Sequence, residues 1–235
     1  MIDPGWLRSW IQPQHLEEST LLVYRQTLES HPARLVVLRS FLHNQVADNL
    51  TRFLRSEAEF QPVYGLYSNH NYVPEADWLR AEESDRFFRY GVMSGVRPEF
   101  QLSSNLITYL QFRTAFRDKR FKAFFEQLSG FSIGSLTFKV HSMKTGDFLH
   151  SHTDDVDDRR LAFALYLSSH WHPSFGGALH MVGNREKLAA VEAEYNSIAI
   201  FDVTAKTKHF IGPIEPAAGE MTRLSITGWL RDPTD

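Results

Sequence analysis

The chain has 235 residues, long enough for one domain with a sizeable core, and its 43% hydrophobic and 23% charged residues are typical of a globular protein. The net charge of −3, without a run of lysines and arginines, gives no electrostatic support for a nucleic-acid or anionic-membrane partner. The absence of cysteine excludes disulfides, zinc-thiolate and iron-sulfur sites, and a cysteine nucleophile.

The first half of the chain is predicted to be mainly helical. Apolar residues recur at helical spacing in residues 46–54 and 121–128, and Gly130 is expected to end the second of these helices. Further helices are predicted over residues 17–28, 76–90 and 105–116, with a short strand at Leu35–Leu38.

From Ser135 onward, short β-rich stretches alternate with turn residues, a pattern typical of a sandwich or jelly roll. The predicted strands cover residues 136–142, 148–154, 161–168, 178–182, 197–203, 209–214 and 223–230. We therefore expect an α+β protein of one structural domain, in which a helical N-terminal region, residues 1–134, packs on a β core, residues 135–235.

Three motifs are more simply explained without a catalytic role. Residues 130–134 fit the G-x-S-x-G pattern of a hydrolase, but a helix precedes and a strand follows the serine, the reverse of what that motif requires. The acidic run over residues 154–158 lacks the glycine and distal glutamate of a calcium loop, so beyond Asp154 we expect a solvated loop. His15 and Glu17 form a His-x-Glu pair at the start of a helix, without a third partner.

The pair His152 and Asp154 lies on a β-rich stretch, where residues two apart face the same side and can hold one cation together. Two histidines and one carboxylate suit non-haem iron(II), because this set of ligands leaves adjacent positions open for substrate and oxygen. His209, at the start of a later strand, is the favoured third ligand, and His180 is the alternative.

At this point the sequence resembles a known family. Residues 135–230 are similar to the double-stranded β-helix core of iron(II)/2-oxoglutarate dioxygenases, in the prolyl-hydroxylase-like branch. The similarity depends on the order and spacing of five stretches, residues 146–154, 160–167, 176–179, 196–209 and 223–229. It implies Fe(II), 2-oxoglutarate and O2 as cofactor and cosubstrates, with ascorbate as an optional reductant.

The resemblance further implies that Arg223 binds the distal carboxylate of 2-oxoglutarate and that Tyr166 donates its hydroxyl to the same group. A guanidinium suits this task because it offers parallel donors to a carboxylate and stays charged when desolvated. Ser225 shares the polar face of its strand with Arg223 and is expected to bind the cosubstrate as well. Ala162 and Ala164 share a face with Tyr166, and such small residues would leave room for a ligand.

Two features depart from the family pattern or leave alternatives open. Many relatives have a tyrosine in the strand before His-x-Asp, whereas residues 139–143 contain His141 and Met143 instead. His150 is expected to share a face with His152, where it would contact the substrate or support the metal site, unless it is a surface histidine.

The expected reaction is hydroxylation of an unactivated C–H bond of a small molecule, such as an amino acid or a peptide-like metabolite. Hydroxylation of a protein side chain is the alternative, and a cupin-like module that binds metal without turnover is a third interpretation. Residues 1–14 lack a basic start followed by an apolar stretch, and no apolar run of about 18 residues occurs. We therefore expect a cytoplasmic protein with no membrane partner.

Overall fold

A computed structural model describes residues 4–100, 102–156, 158–183 and 186–233. The helices of this described part are α1 Pro4–Leu7, α2 Glu18–Ser30, α3 Asn44–Ser56, α4 Glu75–Arg80, α5 Ser104–Ala115 and α6 Lys119–Ser129. None of them is both long enough and apolar enough to cross a membrane.

The strands all join one antiparallel sheet. They are β1 Leu35–Leu38, β2 Ala58–Leu66, β3 Asn69–Val73, β4 Arg86–Val96, β5 Ser135–Met143, β6 Phe148–His152, β7 Arg159–Tyr166, β8 Leu179–Val182, β9 Lys187–Val191, β10 Ser197–Asp202, β11 Lys208–Ile211 and β12 Arg223–Arg231. One row of strands runs β1-β10-β7-β12-β5 and a second runs β6-β11-β8-β9. Strand β4 connects the rows, since Gly91 pairs with Ser142 of β5 and Phe88 pairs with Leu149 of β6.

Residues from both rows line the same cavity, so the rows face each other as in a jelly roll. The predicted α+β class with a double-stranded β-helix core is therefore confirmed.

Side chains that alternate between the two faces of the strands contribute to two separate apolar cores. On β7, Leu161, Phe163 and Leu165 are fully or almost fully buried in the cluster that also contains the apolar faces of α2, α3, α5 and α6. Burying each such side chain stabilises the fold by about 1.5 to 3 kcal/mol. The intervening residues Ala162 and Ala164 belong to a second cluster inside the jelly roll. The helices thus cover the outer face of the first row, and the inner face remains available for a site.

The helices over residues 18–30, 44–56, 104–115 and 119–129 agree with the sequence predictions, as does strand β1. Helix α6 is capped at its N-terminus by Asp118, whose side chain accepts a hydrogen bond from the backbone N–H of Arg120. Its C-cap is Gly130, which adopts a left-handed conformation with φ of 79°. The G-x-S-x-G segment is therefore a helix end followed by the loop into β5.

The prediction of a helix over residues 76–90 was wrong beyond Arg80. Helix α4 ends there, and Arg86–Val96 forms β4, which pairs with β2 along most of its length. Strands β2 and β3 were also missed, so the described part of the N-terminal region contains four strands as well as helices. In the β core, β9 was missed. The reason is non-local: the aromatic and β-branched residues of β4 are extended because β2, β5 and β6 supply partners for its backbone.

Candidate active site

A cavity of about 350 Å³ lies between the two strand rows. Its wall includes Arg223 from β12, Ala164 from β7, Leu149 from β6 and Ile211 from β11, and β4 adds Tyr90. The small side chains of Ala162 and Ala164 face this space, as the alternation on β7 predicted.

His152, Asp154 and His209 come together beside this cavity. His152 and His209 are direct cross-strand partners on β6 and β11, and their ring centroids are 4.2 Å apart. Asp154 follows β6, with carboxylate oxygens 3.8 Å from His152 Nε2 and 3.5 Å from His209 Nε2. One ligand atom from each residue lies within 4.8 Å of the others, close enough for one metal ion.

Asp154 reaches the cluster from a turn and not, as predicted, from a strand. The strand was expected to extend to residue 154, but β6 ends at His152, so the turn after the strand brings the carboxylate back. Asp154 is 9% exposed and also lies 3.4 Å from Nη1 of Arg159. Burial, the largest single influence, raises the pKa of Asp154, but the combined interactions with His209, His152 and Trp229 outweigh it and keep that pKa below its usual value.

Both histidines direct the same nitrogen at the carboxylate. Nδ1 of His152 lies 3.0 Å from the carbonyl oxygen of His150, and Nδ1 of His209 lies 3.4 Å from that of Thr207. If each Nδ1–H donates to its carbonyl, Nε2 keeps a free lone pair. Burial, together with the nearby His209, lowers the pKa of His152 to about 4, so the ring is neutral near pH 7. Two imidazoles and one carboxylate are the donor set expected for Fe(II).

Arg223 lies in the same cavity wall and is 1% exposed. Its Nη1 donates to Ser225 Oγ at 3.4 Å, and its guanidinium carbon lies 5.0 Å from the centre of the Tyr166 ring. Within the described part of the chain, Arg223 has no carboxylate partner, and its Nε has no hydrogen-bond partner. The buried Tyr166 hydroxyl interacts with the guanidinium, which favours the charged form of Arg223. Burial lowers the pKa of Arg223, but a guanidinium remains charged in proteins.

Such a buried, uncompensated cation is costly, and the cost is removed when an anion binds. Burial raises the pKa of Tyr166, so its phenol keeps the proton that it can donate to that anion. The pocket therefore fits a carboxylate at one position and a metal ion at another, which is the combination that 2-oxoglutarate requires.

His150 does not share the cavity face with His152, contrary to expectation. His209 pairs with His152 and Ile211 pairs with Leu149, so a two-residue separation on β11 lies opposite a three-residue separation on β6. Strand β6 therefore contains a β-bulge at this point. This bulge turns both Leu149 and His152 inward, while the exposed His150 ring stacks on Phe148 at 4.4 Å. Only the backbone carbonyl of His150 serves the site.

His180 does not belong to the metal cluster. It lies on β8 with its ring stacked on Phe210 at 4.6 Å, and its neighbours Leu179 and Met181 are the residues that face the interior. The choice of His209 over His180 thus agrees with the geometry.

Among the described residues, the acidic run beyond Asp154 lies in a loop, as expected, and its side chains pair with basic residues. Asp155 pairs with Lys206 at 2.9 Å and Asp158 pairs with Arg231, while Asp157 lies outside the described residues.

Sequence reasoning missed the contribution of the N-terminal hairpins to the site. Tyr72 of β3 and Phe87, Phe88 and Tyr90 of β4 line the cavity. A signal was present in the aromatic cluster at residues 87–90, but its strand was assigned to a helix. Without β3 and β4, the cavity would lack its aromatic side.

Comparison with known proteins gives a consistent result. Residues 138–231 match the family model described as the 2OG-Fe(II) oxygenase superfamily. Mouse prolyl 3-hydroxylase OGFOD1 is 28% identical over 121 residues, which is 48% of this chain and 22% of that protein. The chain therefore aligns with about a fifth of the length of this relative.

Two solved structures share the fold. A Pseudomonas putida prolyl-4-hydroxylase has a TM-score of 0.58 at 19% identity, covering 90% of this chain and 98% of that one. A Trichoplax adhaerens prolyl hydroxylase, solved with a peptide fragment of the hypoxia inducible factor oxygen degradation domain, has a TM-score of 0.61 at 15% identity, covering 93% and 96%.

Proposed function

Because residues 138–231 place this chain in the 2OG-Fe(II) oxygenase superfamily, in its prolyl-hydroxylase-like branch, we propose that it hydroxylates a prolyl side chain of a protein or peptide. This proposal replaces the small molecule favoured by the sequence. The mouse relative is named a prolyl 3-hydroxylase, and the Trichoplax enzyme was solved with a peptide fragment.

The observation that carries the proposed chemistry is the buried Arg223 in the wall of the cavity that also holds the His-Asp-His cluster. We assign Arg223 to the distal carboxylate of 2-oxoglutarate, with further donors from the hydroxyls of Tyr166 and Ser225. His152, Asp154 and His209 would hold Fe(II). When bound, the iron couples oxidative decarboxylation of 2-oxoglutarate by O2 to insertion of one oxygen atom into a C–H bond.

The residues of the chain have three tasks in this reaction. The cross-strand pairing of β6 with β11 holds the two imidazoles side by side, so the ligands are placed before metal binds. Arg223 fixes the orientation of the cosubstrate through its charge. The ring centroids of Phe201 and His209 are 4.9 Å apart and those of Phe87 and His152 are 5.5 Å apart, so two apolar rings pack directly against the metal-binding imidazoles.

An aromatic rim supports a prolyl substrate. Tyr72 is 48% exposed and lines the cavity, and Tyr67 stacks on Phe87 with ring centroids 4.7 Å apart. The hydroxyl of Tyr67 donates to the backbone carbonyl of Ser151, which ties the rim to the metal-binding strand β6. Aromatic faces of this kind are well suited to an apolar pyrrolidine ring.

The test is to incubate the iron-loaded protein with 2-oxoglutarate and a panel of proline-containing peptides, with free amino acids for comparison. We expect succinate formation coupled to a mass gain of one oxygen atom on a peptide proline. Asp154→Ala should abolish both signals. The matched control Asp155→Ala removes the neighbouring acid that pairs with Lys206 and should retain them. Turnover of free amino acids alone would favour the small-molecule alternative, and metal binding without succinate formation would favour the cupin-like module.

A further inference from the structure

His141 is the central inward-facing residue of β5, between Lys139 and Met143, and lines the cavity. Across the strand pair it lies opposite Ser225, the residue whose hydroxyl accepts a hydrogen bond from Arg223. The ring packs edge-on against Tyr90 with centroids 4.9 Å apart. His141 is therefore placed at the same level of the jelly roll as the end of the Arg223 side chain.

The two ring nitrogens of His141 have different surroundings. Nδ1 lies 2.9 Å from Oγ1 of Thr227, which faces the same cavity from β12. Nε2 is shielded from solvent and has no hydrogen-bond partner among the described residues. A buried polar nitrogen without a partner is uncommon in a native fold, and it is expected where a ligand completes the site.

On β5, the two inward-facing neighbours of His141 do not offer a neutral hydrogen-bond donor to a ligand in the cavity. Met143 offers only its sulfur, 3.6 Å from Arg223 Nη1, and Lys139 Nζ is engaged with the hydroxyl of Tyr72 at 3.2 Å. Burial, followed by the charges of Lys139 and Arg223, lowers the pKa of His141 to about 3. The ring is therefore neutral near pH 7 and carries one proton, which can occupy either nitrogen.

We propose that His141 is a cosubstrate-binding residue: its Nε2–H donates a hydrogen bond to a carboxylate of 2-oxoglutarate, and Thr227 positions the ring by donating its hydroxyl proton to Nδ1. This inference rests on the proposed function. A carboxylate can only accept, so it selects the tautomer with the proton on Nε2, and that tautomer requires Thr227 to act as the donor.

The first test is calorimetric titration of 2-oxoglutarate into the manganese-loaded protein. His141→Phe keeps an aromatic ring but removes the donor, and we expect the affinity to fall by about tenfold or more, as for loss of a hydrogen bond to a charged group. His141→Gln retains an N–H at similar reach and should recover most of the affinity. Ser142→Ala, on the opposite face of β5, is the control and should bind like the wild type. Manganese affinity should be the same in all four proteins.

A second test examines the positioning role of Thr227. Thr227→Val has nearly the same shape but no hydroxyl, so it should weaken 2-oxoglutarate binding, whereas Thr227→Ser should restore it. In the zinc-loaded wild type, nitrogen NMR of the His141 ring should report a protonated Nε2 whose proton resonance moves downfield when 2-oxoglutarate is added. This readout is independent of turnover.

Two results would overturn the inference while leaving the proposed function in place: wild-type affinity in His141→Phe, or a His141 ring signal that does not respond to 2-oxoglutarate. Wild-type affinity in Thr227→Val would overturn the positioning role of Thr227. A wild-type protein that binds metal but no 2-oxoglutarate would contradict the proposed function and the inference together.

Discussion

Replacing Arg223 with methionine is expected to stabilise the ligand-free protein while weakening its binding of 2-oxoglutarate. Methionine keeps most of the buried aliphatic stem but removes a cation that has no counter-ion within the described residues. Replacing a buried ion pair by apolar groups of similar volume often stabilises a protein by about 1 to 4 kcal/mol, and we expect a gain of that order when a single unpaired charge is removed. At this chain length each kcal/mol raises the melting temperature by about 2 to 4 °C.

Arg89→Met is the matched control with the opposite expected sign. Nε of Arg89 donates to Asp147 at 2.8 Å, and the Asp147 side chain is only 4% exposed. Breaking a buried pair from one side leaves the other charge uncompensated and costs about 3 to 5 kcal/mol. The backbone N–H of Lys144 still donates to Asp147 at 2.9 Å, so we expect a loss near the lower end of that range.

Thermal unfolding of the metal-free proteins measures these two signs directly. Repeating the scans on the manganese-loaded proteins with 2-oxoglutarate at a hundredfold excess over the wild-type Kd should stabilise the wild type by about 2.7 kcal/mol. The Arg223→Met protein should gain much less under the same conditions. If metal-free Arg223→Met melted at a lower temperature than the wild type, or if 2-oxoglutarate stabilised it as much as the wild type, Arg223 would not be an uncompensated cation that binds the anion.

Three further predictions test other parts of the structure. Asp154→Ala should abolish manganese binding in calorimetry, whereas His180→Ala should bind manganese like the wild type; loss of binding in the His180 variant would contradict the assigned cluster. The pKa of His141 is lowered to about 3 in the folded protein, whereas in the unfolded chain this histidine takes up a proton below about pH 6.5. As the pH falls from about 6.5 to about 3, the free energy of unfolding therefore decreases by up to about 1.4 kcal/mol per pH unit. Urea unfolding at pH 7 and pH 5 should show a smaller loss in His141→Phe, and an equal loss would argue against a neutral buried ring. Gly176→Ala should destabilise the protein by about 1 to 3 kcal/mol, because φ of 72° and ψ of −155° suit only glycine and an added Cβ would lie 2.2 Å from a backbone oxygen. In the control Gly183→Ala, the added Cβ makes only ordinary van der Waals contacts. Similar melting temperatures for the two variants would exclude strain at Gly176.

Much of the site could be predicted because its residues follow local patterns. His152 and Asp154 are two residues apart, and the alternation of Arg223 and Ser225 with apolar neighbours shows that they share a face. The helices that cover the jelly roll were predicted for the same reason, since their apolar spacing and the ending at Gly130 are properties of short segments.

What the sequence could not determine depends on pairing between distant segments. Strand β4 is extended because β2, β5 and β6 provide partners, and a local pattern cannot show those partners. The bulge that turns His150 outward likewise exists only in the register between β6 and β11.

The sequence by itself thus determined which side chains form the candidate metal cluster and which arginine faces the same interior, because strand periodicity is encoded over a few residues. Only the tertiary structure decided that Tyr72 and Tyr90 complete the cavity. It also decided that, among the described residues, Arg223 has no acidic partner and Nε2 of His141 has no hydrogen-bond partner. Burial and hydrogen-bond satisfaction are properties of the packed chain, because most of the neighbours that surround these side chains belong to other strands.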